Sequence, residues 1–197
     1  ASSGVGTYAV TGSGITANSN YNLVQAPSNT SALTITPAPL TVSVAAKTMT
    51  YGANALPSLT YTASGLVNSD ALTGALSTNA TAFNGTAGSA SNAGIYAITQ
   101  GTLSAGNNYN LSFTGSNVTV QPATLSYAAG TASSVYGQAP VLTAGTLTGL
   151  VNGDTQASAT TGSLSFSTTA TASSGVGTYA VTGSGITANS NYNLVQA

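Results

Sequence analysis

The sequence predicts an all-β fold: tandem small β-sandwich or β-grasp-like units of about 83–88 residues, set in series as an elongated fibre. Three observations lead there. Short stretches alternate apolar and polar residues with a period of two, clusters of Gly, Asn and Ser separate them, and a set of landmark motifs recurs in fixed order along the 197 residues.

The recurrence is visible at two levels. Residues 1–26 and 172–197 carry the same letters, ASSGVGTYAVTGSGITANSNYNLVQA, offset by 172 − 1 = 171 positions. The identity includes surface-type positions such as Ser2/Ser173 and Asn18/Asn189, which shared folding physics would not hold constant, so it marks a tandem duplication. A looser repeat lies inside the strict one. GTYAVT at residues 6–11 returns as GIYAIT at 94–99 and GTYAVT at 177–182. NYNL occurs at residues 20–23, 108–111 and 191–194, with Tyr spacings of 109 − 21 = 88 and 192 − 109 = 83. YG at Tyr51 recurs at Tyr136 (136 − 51 = 85), and GLVNSD ending at Asp70 recurs as GLVNGD ending at Asp154 (154 − 70 = 84). Residues 37–121 therefore form one complete repeat unit, 1–36 the back half of another, and 122–197 the front and middle of a further one. The chain ends read as arbitrary points in a longer array. Units of this length can bury a core of their own, so the expectation is beads on a string, with residues 37–121 folding alone.

Within the complete unit, residues 40–46 (LTVSVAA) alternate as a half-buried strand should. Residues 58–64, 94–100, 108–113 and 117–121 read likewise, rich in the Thr, Val, Ile and Tyr that suit a pleated surface. In the partial first unit, strands are expected around residues 6–11, 20–24 and 32–36. SAGNN at 104–108 and TGSN at 114–117 supply turn chemistry. No stretch has a helical period; the best candidate is a single turn over residues 69–72, with Ser69 or Asp70 as its N-cap. Pro37, Pro39 and Pro122 stand where units meet.

Composition removes most function classes. Only 2% of the residues are charged, namely Lys47, Asp70 and Asp154, against roughly 25% in an ordinary domain. A net charge of −1 offers nothing to neutralise phosphates, so nucleic acid is not an expected partner. No apolar run approaches the roughly 18 residues of a membrane span. There is no Cys to build a disulfide framework. General acid–base catalysis needs a His or paired carboxylates; His is absent, and the two Asp residues sit at equivalent positions of different repeats. No enzyme activity, cofactor or metal is expected. One carboxylate per unit is too few for calcium, so Asp70 and Asp154 read as turn or cap acceptors of backbone N–H groups. Lys47 reads as a solvated strand end, with an isopeptide cross-link the sharper and weaker alternative. Tyr8, Tyr96 and Tyr179, and Tyr21, Tyr109 and Tyr192, read as packing residues whose hydroxyls bond at a sheet rim, with Tyr51 and Tyr136 the further repeat landmarks. Asn-x-Ser/Thr acceptor patterns begin at Asn29, Asn79, Asn84, Asn110 and Asn117, as chance produces in such a composition.

The ordered set KTMTYG, GLVNSD, GIYAIT and NYNL resembles the MBG-type (YG-containing) tandem repeats of giant bacterial surface and filamentous-haemagglutinin-like adhesins. The second unit departs from it by placing Ala132 where the first has Lys47. The resemblance implies an extracellular, cell-surface or matrix location and a mechanical role as stalk or biofilm matrix, with neighbouring repeats and homotypic fibre contacts as partners. It names no ligand. Two rival readings remain open at the level of sequence: a filament made mainly of this repeat, and units that themselves bind sugar, ice or host protein.

Overall fold

A computed structural model describes residues 3–197. It is nearly all-β. The strands are β1 (Gly6–Tyr8), β2 (Leu33–Ile35), β3 (Ala38–Val44), β4 (Lys47–Thr50), β5 (Tyr61–Ser64), β6 (Ser77–Thr78), β7 (Gly94–Thr99), β8 (Tyr109–Thr114), β9 (Ser116–Gln121), β10 (Ala123–Ala128), β11 (Thr146–Thr148), β12 (Thr160–Thr168), β13 (Val181–Ala188) and β14 (Tyr192–Gln196). A 3-10 turn spans Pro27–Ser31, and one helical turn, α1, spans Gln156–Ala159.

Alternation explains the central strands. In β3, Leu40 and Val42 point inward and are buried while Thr41 and Ser43 face out. In β9, Val118 and Val120 do the same. The first and last strands of the repeat run parallel: β3 pairs β8 with Ala38 opposite Tyr109, and β4 pairs β9 with Lys47 opposite Val118. Chain continuity accounts for both pairings. Ala45–Ala46 alone separate β3 from β4, and Gly115 alone separates β8 from β9. Within each of these pairs the two strands run side by side in one direction. The second repeat reproduces the first pairing, with β10 parallel to β14 and Ala123 opposite Tyr192.

The chain forms two compact units, and they are cut differently from the sequence repeats. The first contains residues 3–45, 60–77 and 99–116; the second contains 46–59, 78–98 and 117–197. The first holds the sheet β5-β3-β8 and the pair β1-β2, with Leu40, Val42, Leu103 and Tyr109 buried. The second holds the sheet β11-β10-β14, the pair β12-β13 and most of the sheet β4-β9-β7-β6. Its core includes Met49, Tyr51, Ile98, Val118, Val120, Leu125 and Tyr192. Residues 46–59, 78–98 and 117–121 of the complete repeat therefore share one compact unit with residues 122–197 of the next.

Two local expectations are corrected. No helical turn forms over residues 69–72, and Ser69 stands at φ 61°, a left-handed conformation that an N-cap does not take. The helical turn lies instead at Gln156–Ala159, capped reciprocally by Thr155 and Ser158. The second repeat has room for it: the two TG pairs, at residues 73–74 and 161–162, are 88 positions apart while the preceding Asp residues are 84 apart, four extra residues. Residues 20–24 form no strand. Their identical counterpart forms β14 by pairing with β10, and residues 20–24 have no such partner among the described residues.

Candidate functional site

The GLVN-x-D motif makes the same turn in both repeats. Asp70 N–H donates to Val67 O at 2.9 Å, and Asp154 N–H to Val151 O at 2.9 Å. The two central residues are left-handed each time, Asn68 and Ser69 at φ 55° and 61°, Asn152 and Gly153 at 58° and 72°. Asn tolerates this conformation better than most residues. The turn aims the Asp carboxylate at the Tyr of NYNL, which opens β8 or β14. Tyr109 Oη–H donates to Asp70 Oδ2 at 2.7 Å, and Tyr192 Oη–H donates to Asp154 Oδ2 at 2.8 Å. The same hydroxyls accept from Val67 N–H at 3.1 Å and from Val151 N–H at 3.0 Å. The sequence-based role for these Asp side chains is corrected accordingly: their recorded bonds are to side-chain hydroxyls, not to backbone N–H groups. The missed signal was the joint recurrence of Asp and NYNL at 84 and 83 residues.

In the second compact unit a second tyrosine arrives from the preceding repeat. Tyr51 follows β4, held by its N–H to Gln121 O at 2.8 Å. Its hydroxyl donates to Asp154 Oδ2 at 3.0 Å and accepts from Asn152 Nδ2 at 2.8 Å. The Tyr51 and Tyr192 rings meet edge to face with centroids 5.5 Å apart. Gly52, at φ 76°, lies directly against Val151; a Cβ there would fall 2.5 Å from Val151 Cγ2. Asparagines complete the joint. Asn152 Oδ1 accepts from Ala90 N–H at 3.0 Å, Asn191 Oδ1 accepts from Ala93 N–H at 2.8 Å, and Asn191 Nδ2 donates to Asn92 Oδ1 at 3.0 Å. Asn152 is only 3% exposed, and no buried side-chain N or O among the described residues lacks a partner.

The phenols respond to this enclosure. Burial pushes Tyr192 well above the usual tyrosine range; the Val151 N–H opposes this, and the Asp154 carboxylate adds to it. Tyr51 is raised for the same first reason, with Asn152 as the opposing donor and Asp154 reinforcing. At Tyr109 the Val67 backbone bond favours ionisation, but the Asp70 hydrogen bond, burial and the Asp70 charge outweigh it, so this phenol is raised as well. A neutral phenol donating to a carboxylate is a fastening. With Asp154 Oδ2 holding two hydroxyls, the arrangement has the chemistry of a joint.

Other sequence landmarks fall elsewhere. Tyr8, Tyr96 and Tyr179 each donate back to a carbonyl four residues upstream, Gly4, Asn92 and Gly175, at 2.7, 2.9 and 2.9 Å. Tyr21 is 75% exposed and Tyr136 is 70% exposed, against 4% for Tyr51. Lys47 begins β4. Among the described residues no three His, Cys, Asp or Glu side chains gather as a metal site, and no helix is long and apolar enough to cross a membrane.

The family profile described as MBG domain (YGX type) matches twice in tandem, over residues 40–119 and 125–197. No curated protein and no solved structure matches the chain. The MBG domain is a repeat domain of surface proteins, and its family is a structural one.

Proposed function

The chain belongs to the MBG (YGX-type) domain family, and from that premise we propose that it is a structural repeat segment of a secreted bacterial surface fibre or adhesin. Its work is mechanical, as stalk or matrix, and its partners are neighbouring repeats and like fibres.

The observation that carries this reading is the joint. Tyr51 and Gly52 of one repeat, and Val151, Asn152, Asp154 and Tyr192 of the next, belong to one compact unit. A flexible tether between beads would leave neighbouring repeats free to swivel. Here parts of one repeat share an apolar core and a satisfied polar network with the next, which suits a part that transmits force. The near absence of charge fits contacts made by packing and neutral hydrogen bonds, which salt screens weakly.

The test is location. Antibodies raised against residues 1–197 should label intact, unpermeabilised cells of the source organism, and the epitope should disappear when those cells are treated with a broad-specificity protease. Labelling only after permeabilisation would refute a surface fibre.

A further inference from the structure

Two Asn-Gly pairs occur in the sequence, Asn84–Gly85 and Asn152–Gly153. Such a pair is chemically labile. Without a Cβ, the glycine lets its nitrogen approach the Asn side-chain carbonyl carbon closely, and attack there closes a five-membered ring. Whether that happens depends on how the fold holds the Asn amide, and the two amides are held in opposite ways.

Asn152 is locked. Its Oδ1 accepts from Ala90 N–H at 3.0 Å, and its Nδ2 donates to the Tyr51 hydroxyl at 2.8 Å. It is also buried, so ring closure must break the bonds of an enclosed amide, and the water that opens the ring is kept out.

Asn84 is free to react. It lies in the loop between β6 and β7, and Asn84, Gly85 and Thr86 are all exposed. Asn84 N–H donates to Ser89 Oγ at 3.1 Å, and Thr86 N–H donates to Asn84 Oδ1 at 3.0 Å. The second bond folds the side chain over the Gly85 peptide and polarises its carbonyl. It also supplies a donor where negative charge develops on Oδ1 during attack. Gly85 N–H and Asn84 Nδ2, the groups that must be released, have no hydrogen-bond partner among the described residues. The space beside Gly85 is open, with no atom within 4 Å of an added Cβ.

We infer that Asn84 is a site of spontaneous deamidation, converting with time to aspartate and isoaspartate while Asn152 persists. The Gly85 nitrogen gives its proton to a solvent base and bonds to Asn84 Cγ. The Cγ–Nδ2 bond then breaks, and Nδ2 leaves as ammonia with a proton from solvent. Water adds to one of the two carbonyl carbons of the resulting succinimide, whose bond to the Gly85 nitrogen breaks as that nitrogen regains a proton. Opening at Cγ gives aspartate; opening at the main-chain carbon gives isoaspartate. Water is consumed, ammonia is released, and nothing is oxidised or reduced. The net charge moves from −1 to −1 − 1 = −2. The new carboxylate falls in the loop that rests on the Asn152 turn: Gly88 N–H donates to Asn152 O at 2.9 Å, and a Cβ on Gly153 would lie 2.7 Å from Ala87 Cβ. Isoaspartate inserts the β-carbon into the main chain of that loop, so ageing alters the joint itself.

The test ages the 197-residue chain in mildly alkaline buffer, with a parallel sample in urea. Chymotryptic cuts after Phe83 and Tyr96 release residues 84–96, and cuts after Tyr136 and Phe166 release the segment holding Asn152. Mass spectrometry reads the replacement of an amide NH2 by OH, and fragmentation separates Asn84 from Asn92. A zero-time sample subtracts conversion during digestion. Asn84 should convert in the native chain at least as fast as in urea, giving both products. Asn152 should convert in urea and about tenfold more slowly, or less, in the native chain. Isoelectric focusing of aged native chain should show a new acidic band that Asn84→Gln lacks, since Gln must close a less favoured six-membered ring. An unchanged 84–96 peptide overturns the inference, as does native Asn84 slower than in urea. So does native Asn152 converting as fast as Asn84, or an acidic band that persists in the variant. None of these outcomes bears on surface labelling of cells, so the fibre reading stands or falls separately.

Discussion

Replacing Gly52 by Ala tests whether the repeats meet at the closeness that the joint requires. Two costs arise. At φ 76° any side chain is held in the left-handed region, at about 1–2 kcal/mol. The added methyl would also lie 2.5 Å from Val151 Cγ2, 2.6 Å from Val151 Cβ and 3.2 Å from Asn152 N. Cβ and backbone atoms cannot swing aside as a flexible side-chain tip would, so the two repeats must separate or distort, at about 1–3 kcal/mol for overpacking. Gly52→Ala should therefore cost about 2–5 kcal/mol in all. The sequence provides its own control. Gly137 is the equivalent glycine, at φ 90°, and no atom lies within 4 Å of its added Cβ. Gly137→Ala should bear only the conformational cost. Urea unfolding followed by circular dichroism measures both. Adding Val151→Ala to Gly52→Ala should recover part of the loss by clearing the methyl's space. Equal destabilisation by the two glycine substitutions, within about 0.5 kcal/mol, would refute the close approach.

Two further predictions rest on the hydroxyl–carboxylate bonds. Asp154→Ala removes the acceptor of both Tyr51 and Tyr192 and should destabilise by about 2–3 kcal/mol, discounted for partial solvent access. Asp70→Ala, which removes one such bond at an exposed residue, should cost less, and the same urea titrations compare them. Alkaline pH should weaken the second unit. Tyr51 and Tyr192 hold their protons more tightly when folded, so above about pH 10 the unfolded chain binds fewer protons than the native one and stability falls as pH rises. Unfolding free energies at about pH 9 and about pH 11 should show that drop, and Tyr192→Phe should flatten it; an equal slope in the variant would refute the assignment.

The strands of the complete repeat were legible because alternation and turn residues act over a few positions. Leu40 and Val42 announce their burial within seven letters, and so do Val118 and Val120. The joint was not legible that way, since Tyr51 and Asp154 are 103 positions apart and each looks like an ordinary surface-turn residue. What the sequence does contain is their shared periodicity: YG, GLVN-x-D and NYNL recur at 85, 84 and 83 residues, shown by 136 − 51, 154 − 70 and 192 − 109. Motifs that recur together at nearly one spacing are candidates for touching one another across the repeat boundary, because each boundary must be built afresh from the same parts. The helical turn was misplaced for the opposite reason: it arises from four residues present in one repeat and missing from the other, a feature that periodicity hides.

The identical segments show how strongly the boundary governs the fold. Residues 1–26 and 172–197 have the same letters, yet Tyr192 is 5% exposed within β14 while Tyr21 lies outside any strand and is 75% exposed. Residues 6–8 form β1, whereas 177–179 form no strand; residues 181–188 form β13, whereas 10–17 form none. Local propensity is the same in every pair, so it cannot be the cause. Neighbours are. Tyr192 has Ala123 of β10 beside it and the Asp154 carboxylate to receive its hydroxyl, and β1 has β2. A strand here is thus an outcome of pairing across half-repeats, with intrinsic preference supplying only permission. That dependence is what lets residues 122–197 fold together with residues 46–59, 78–98 and 117–121 of the repeat before them.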